Sequence, residues 1–369
     1  MQHISNNSDA QLMHSIIQRI ATGPTMSKDI TRAEAREGIR LVLEKKVDSV
    51  QAAVFLIALR MKRETDDENL GILDGIQSKT KTVVAGIDTV IDIADPYDGF
   101  ARQIPASPFL PAVLAACGVH ALCHGLESVG PKYGLSSRQV LHAAGINVNN
   151  SPEEAAERIS NPLIGWCYLD QERFCPSLHD LVRLRTLIVK RPSISTIERM
   201  LAPIRGQRLT HLVTGYVHKA YPRIYGLLAR EAGFNSALIV RGTEGGVVPS
   251  LRQPSSCFCY NKNGEPIVSN LDPNEIGIVR SIKAMPIPEE LLRVDTDGKT
   301  HSDNITFADT AATNGLLALQ GHSGMTRDSL IYAGAAILWQ LCHYPSLREA
   351  ADRIRKVLDS GKALDHLNA

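Results

Sequence analysis

The stretch His120–Gly145, HALCHGLESVGPKYGLSSRQVLHAAG, opens as a short apolar strand, HALC (120–123), and breaks at His124-Gly125. It then runs through a loop of Gly, Ser and Lys and becomes helical at about Ser137. A loop of that composition, set between a strand and a helix, aims backbone N–H groups and a lysine at an anion. Strand, loop and helix in immediate succession are also the repeating unit of an α/β sheet wound with crossovers, so the flanking sequence should repeat it.

It does. On the N-terminal side, TVIDIAD (89–95) reads as a strand ending in the loop Pro96–Gly99. Ser107 then stands as N-cap and Pro108 as first residue of a helix, FLPAVLAACG. On the C-terminal side, Ser151, Pro152 and Glu154 start a helix, and apolar runs recur at HLVTGY (211–216) and ALIVRG (237–242). Such sheets bind ligands beyond the carboxyl ends of their strands. Three strand-end loops are therefore candidates for one site: Asp95–Gly99, His124–Gly134 and Arg241–Gly246. Residues 253–310 are more polar; CFCYN (257–261) reads as a strand and VDTDGKTHSDNIT (294–306) as an exposed loop. Helix resumes from Asp303, TRDSLIYAGAAILWQLC is apolar on most faces, and Ser346 with Glu349 caps a last helix ending near Gly361.

Residues 9–80 carry helical patterns only. Thr31 with Glu34, and Thr65 with Glu68, have capping-box spacing. Ser49 is placed to cap VQAAVFLIALRMK, which is apolar nearly all round. The expected fold class is α/β: a small N-terminal helical domain (1–85) and a large α/β domain (86–369) with a central sheet flanked by helices. The chain's 369 residues, 44% of them hydrophobic, suffice for such a core. A net charge of +1 excludes a uniformly basic nucleic-acid coat but allows a local basic patch. Seven cysteines without a CxxC pair read as reduced, cytoplasmic thiols. The first residues carry no signal pattern, and the most apolar run, Ala52 to Leu59, is too short to span a bilayer, so no membrane partner is expected.

Several residues stand out by type and place. Lys132 lies between Gly130 and Gly134, near a helix start, as a phosphate contact would. His124 either donates to an anion or closes the strand end. Asp98, Gly99, Ser107, Gly125 and Ser128 sit in the same strand-end loops, and Arg241 opens the third. LVRLRTLIVKR (181–191) holds Arg183, Arg185, Lys190 and Arg191, with Arg183 and Lys190 on one face at helical spacing. This segment is an anion clamp or a solvated helix edge. Arg199, Arg205, Arg208, Lys219 and Arg223 extend the basic density, with Tyr216, Tyr221 and Tyr225 the only aromatics among them. Asp92, Asp95 and Asp98 make a poor oxygen cage beside Pro96 and Tyr97, so no metal site is expected. Glu244 is expected to bond within its own turn.

Together these pieces resemble the anthranilate phosphoribosyltransferase family (glycosyltransferase family 3). AVFLIALRMKRET looks like the family's helix ending in ALR-x-K-x-E-T, HGLESVGPKYG like its HGNRSVSSKSG, and RGTEGG like its HG-x-DG. GMTRDSLIYAGAAIL and LDSGKAL look like its C-terminal helices. The resemblance implies a helical domain plus an α/β domain, usually a homodimer through the helical lobe. It also implies transfer of a phosphoribosyl group from phosphoribosyl pyrophosphate to an aromatic amine, with magnesium and a glycine-rich loop holding the pyrophosphate. Arg185 and Arg191 fall where the enzymes' arginines contact the aromatic acid.

The chain departs from the family where the chemistry is done. The family's GTGGDG is Asp95-Pro96-Tyr97-Asp98-Gly99 here, and of its N-x-S-T only Ser107 survives. The adjacent Asp-Glu that binds magnesium falls on Val247-Val248, and valines cannot ligate a hard cation. Offsetting the charge of departing pyrophosphate needs those groups. The chain is similar to the family's divergent branch, whose members bind nucleic acid without showing the transferase activity. The expectation is a phosphate-bearing ligand, small molecule or single-stranded nucleic acid, held in the interdomain cleft, with no cofactor. The alternative is an active phosphoribosyl or pentosyl transferase with a changed acceptor, which alone would need magnesium; catalytic residues are left unassigned.

Overall fold

The computed structural model describes residues 7–23, 25–261, 264–294, 300–302 and 304–369. The N-terminal lobe is four helices, α1 (Asn7–Ile20), α2 (Arg32–Leu43), α3 (Ser49–Lys62) and α4 (Asp66–Gln77). Thr31 and Thr65 each close a capping box with Glu34 and Glu68. Asp48, not Ser49, caps α3: its carboxylate accepts from the Val50 N–H at 2.8 Å. The reason is spacing, since Gln51 is three residues on from Asp48 and reaches back to its N–H, whereas Ser49 has Ala52 there.

The strands are β1 (Val83–Val84), β2 (Thr89–Ala94), β3 (Ala121–Gly125), β4 (Trp166–Asp170), β5 (Ile204–Arg205), β6 (Leu209–Gly215), β7 (Ser236–Val240), β8 (Ser255–Asn261), β9 (Ile267–Leu271), β10 (Leu292–Val294) and β11 (Thr300–Ser302). Seven form the main sheet in the order β4-β3-β2-β6-β7-β8-β9. The first five are parallel, and at one edge β8 pairs antiparallel with β7 and β9 antiparallel with β8. The α/β class and the layer arrangement are as expected. The stretch at 294–306 differs from the loop expected there: Leu292–Val294 and Thr300–Ser302 pair antiparallel, the backbone groups of each satisfying those of the other. Residues 295–299 and 303 of that stretch lie outside the described residues.

Side chains of the parallel strands alternate between two cores. Ile91, Ile93, Ala121, Cys123, Val213 and Leu238 pack with the helices Leu110–Ala116, Asn304–Leu319, Met325–Leu341 and Leu347–Asp359. Val90, Ala94, Leu122, Leu212 and Ile239 pack with Phe55, Leu73 and Ile76 of the helical lobe. Burial on both faces is why these strands read as continuous apolar runs. The helix expected from Ser107 is a 3₁₀ turn (Ser107–Phe109) followed by the α-helix from Leu110. Pro111 has no N–H to give the Ser107 carbonyl, which takes that of Leu110 instead. The terminal helix ends at Asp359, and Lys362–Asn368 forms one more. Among the described residues, no helix is long and apolar enough to cross a membrane.

Candidate functional site

The three strand-end loops meet. The loop after β2 turns back at Gly99, whose N–H reaches the Pro96 carbonyl at 3.0 Å and whose φ is +73°. Phe100 and Leu135 then exchange backbone hydrogen bonds of 2.9 and 2.7 Å, and the Gly134 N–H donates to the Asp98 carbonyl. A Cβ on Gly99 would lie 2.3 Å from the Gly134 oxygen, so the stitching needs glycine there. The third loop joins through Asp95, which accepts the Val247 N–H at 2.9 Å, and through Gln103, whose amide donates to the Thr243 carbonyl at 3.3 Å. Asp95 is buried, and burial pushes its carboxyl up against the opposing pull of Ser107, the Val247 N–H, Arg199 and Lys132. Ser107 Oγ favours the charged carboxylate by proximity, yet it makes no hydrogen bond of ordinary geometry among the described residues.

At the centre of the meeting point is a carboxylate. Glu244 accepts the Ala101 N–H at 3.1 Å, the Arg102 N–H at 2.8 Å and the Lys132 ammonium at 3.1 Å. Contrary to the expectation from sequence, it does not bond within its own turn: its backbone is left-handed (φ +54°) and its side chain reaches across to the first loop. Lys132 also lies 5.6 Å from the centroid of the Phe100 ring, a cation–π distance.

His124 belongs to β3 and faces the helical-lobe core. Its Nε2 is 2.7 Å from Asp92 Oδ1, and its Nδ1 is bonded to the Tyr97 hydroxyl. Burial holds the Tyr97 phenol well above its usual range, with the carboxylates of Glu198 and Asp92 adding to the effect. The phenol therefore stays protonated, and its hydroxyl and the Asp92 carboxylate satisfy Nδ1 and Nε2 between them. Both ring nitrogens are thus committed inside the fold.

Arg185 is 1% exposed and points inward, its guanidinium donating to both Glu198 oxygens at 2.7 and 2.9 Å and to Ser195 Oγ at 3.2 Å. Arg191 donates through Nε to Asp98 Oδ2 at 2.7 Å with its side chain half exposed. Lys190 does not share a helical face with Arg183: Val189 is left-handed (φ 62°), and the helix ends at Ile188. Arg199 is buried against Thr214, the Gly215 carbonyl and Tyr225, and Arg205 caps the carbonyls of Ala232 and Gly233. Arg208 and Arg223 pair with Asp88 and Asp66. Arg183, Lys190, Lys219 and Arg241 remain exposed without an ion pair among the described residues. Tyr216 and Tyr225 are buried, so they form no stacking surface.

Gly125 and Ser136 border a crevice with Tyr97 and His124, while Ser107 borders another with Phe100 and Val248; Ser128 is half-buried in the loop between β3 and its helix. The first crevice spans about 190 Å³ and the second about 250 Å³, open solvent included. Glu198 and Glu244 are the residues sequence reading undervalued. Glu198 carries no local signal, being 13 residues from its arginine.

Residues 14–79 match the model of the glycosyl transferase family helical bundle domain, and residues 102–364 that of the family's a/b domain. The chain belongs to this family. Among its glycosyl transferase relatives, an anthranilate phosphoribosyltransferase of Rhodococcus jostii is 28% identical over 260 residues, 69% of this chain and 68% of its own. A protein of Aquifex aeolicus named only as uncharacterized is 25% identical over 329 residues, 89% of this chain and 93% of its own. The fold is that of the anthranilate phosphoribosyltransferase of Saccharomyces cerevisiae solved with PRPP and Mg, at a TM-score of 0.73 and 13% identity, covering 99% of this chain and 98% of that one.

Against that family, the positions read as its magnesium pair are apolar in surroundings as well as in type. Val247 is 2% exposed within the core, and Val248 packs beside it. The neighbouring carboxylates are spent: Asp98 on Arg191, Glu244 on Lys132, Asp95 on the Val247 N–H. Among the described residues no group of three or more His, Cys, Asp or Glu is placed to hold a metal ion. Valine side chains offer a hard cation no oxygen at these two positions.

Proposed function

We propose that this glycosyl transferase family member binds a phosphate-bearing ligand at the strand-end loops without magnesium-dependent phosphoribosyl transfer, and that the ligand is single-stranded nucleic acid. The observation that carries the reading is the packing of Val247 and Val248 into the core where the family's magnesium carboxylates are expected, beside loops that hold Lys132 on Glu244 and Arg191 on Asp98 and leave Arg241 exposed. Lys132, Arg191 and Arg241 face the ligand, with Asp98, Gly99, Gly125 and Ser128 shaping the loops. Arg185 and His124 act from behind, as supports whose own partners are internal. The exposed Arg183, Lys190 and Lys219 extend the phosphate track. The chain works as a homodimer through the helical lobe, whose Val50 and Met61 are 68% and 74% exposed.

Active transfer with a changed acceptor is the competing reading, favoured by relatives named as anthranilate phosphoribosyltransferases. Titration calorimetry separates the two. A short single-stranded DNA should bind without magnesium, more weakly as salt rises, and more weakly again in Arg191→Ala. Phosphoribosyl pyrophosphate that binds only with magnesium would overturn the proposal and restore the enzyme.

A further inference from the structure

The Glu244 carboxylate sits in a site built for an anion, and the site is not made by its own loop. Two consecutive backbone N–H groups, Ala101 and Arg102, and the Lys132 ammonium converge on it at 3.1, 2.8 and 3.1 Å. Successive N–H groups aimed at one point, with a cation opposite, are the donor set that holds a tetrahedral oxyanion. The carboxylate is well sheltered, at 9% side-chain exposure, and Lys132 at 18%. A solvated surface pair would not be.

The backbone adds a second, independent observation. Glu244 has φ +54° and ψ 15°, a left-handed conformation that an L side chain with a Cβ adopts at a cost. It lies between Gly242 and Gly245, which tolerate rearrangement of the turn. A glycine would be the unstrained choice at 244, and what the glutamate adds is the carboxylate in the nest.

We propose that Glu244 is an internal occupant of an oxyanion subsite, and that a phosphate group enters this subsite by displacing it. This rests on the phosphate-binding reading above and adds its regulation: the subsite is self-filled, so only a ligand that gains enough from Lys132 and the Ala101 and Arg102 N–H groups opens it. A phosphate competes well because it brings more charge and more acceptor oxygens than the carboxylate it replaces.

The test is calorimetric titration of the full chain with inorganic pyrophosphate, without metal and at low salt. The proteins are wild type, Glu244→Gln, Glu244→Gly, and Glu244→Gln combined with Lys132→Met. Glu244→Gly relieves the backbone rather than straining it, so one single variant keeps its fold even if the other does not. Both single variants should bind pyrophosphate at least about tenfold more tightly than wild type, the worth of one charge-assisted contact set no longer displaced. The double variant should lose that gain. Equal binding by wild type and the single variants would overturn the self-filled subsite while leaving the phosphate-binding reading intact. No binding by any of the proteins would overturn both. A gain that survives Lys132→Met would overturn the placement of the subsite.

Discussion

Glu198 takes both arms of the Arg185 guanidinium, at 2.7 and 2.9 Å, with each side chain 1% exposed. The arginine matched to the family's acceptor contacts is thereby neutralised from inside the protein. Glu198→Ala strands a buried cation and should cost about 3–5 kcal/mol, whereas replacing both residues with Met and Leu should be close to neutral. Urea unfolding of the two variants decides it. Equal, small losses would mean that Arg185 reaches solvent.

Tyr97→Phe should destabilise by about 1–3 kcal/mol, because it leaves the buried His124 Nδ1 without its hydrogen-bond partner while barely changing volume. The urea midpoint should fall with an unchanged slope. An unchanged midpoint would mean that the Tyr97 hydroxyl does not support the buried histidine.

Gly99→Ala places a Cβ 2.3 Å from the Gly134 oxygen and forces a side chain into φ +73°. It should cost more than about 1 kcal/mol. Amide exchange should quicken at Phe100 and Leu135, whose mutual hydrogen bonds hold the two loops together. Unchanged protection at both amides would contradict the close approach.

Acid should loosen the helical lobe first. Glu34, bonded to Arg19, and Glu44, bonded to Lys79 and Lys46, are both held down to about 2. A carboxylate depressed in the folded state contributes stability above its unfolded pKa, about 4.3, and loses it as pH falls through the folded value. The melting temperature should therefore drop between about pH 4.3 and 2. Glu34→Gln with Glu44→Gln should flatten that drop, and an unaltered acid limb would place the acid-sensitive groups elsewhere.

Arg191 is half exposed on Asp98, so Arg191→Ala should change stability by less than about 1 kcal/mol. In the phosphate-binding reading it should instead lower the slope of log affinity against log salt for single-stranded DNA by about one. A slope that does not move would take Arg191 out of the ligand track.

The sequence by itself determined what depends on near neighbours. Thr31 with Glu34, Thr65 with Glu68 and Ser151 with Glu154 are capping boxes at three-residue spacing, and each forms. The parallel strands announce themselves as apolar runs because both their faces are buried, and their ends pointed to the three loops that meet. Tertiary structure decided the partners. Lys132 and Glu244 are 112 residues apart, Asp98 and Arg191 93, Asp92 and His124 32. No local rule relates such positions, and a charge reads the same in sequence whether it faces solvent or another charge. Only the folded chain shows that Lys132, Arg185 and Arg191 are answered by its own carboxylates, since that depends on which segments the fold brings side by side.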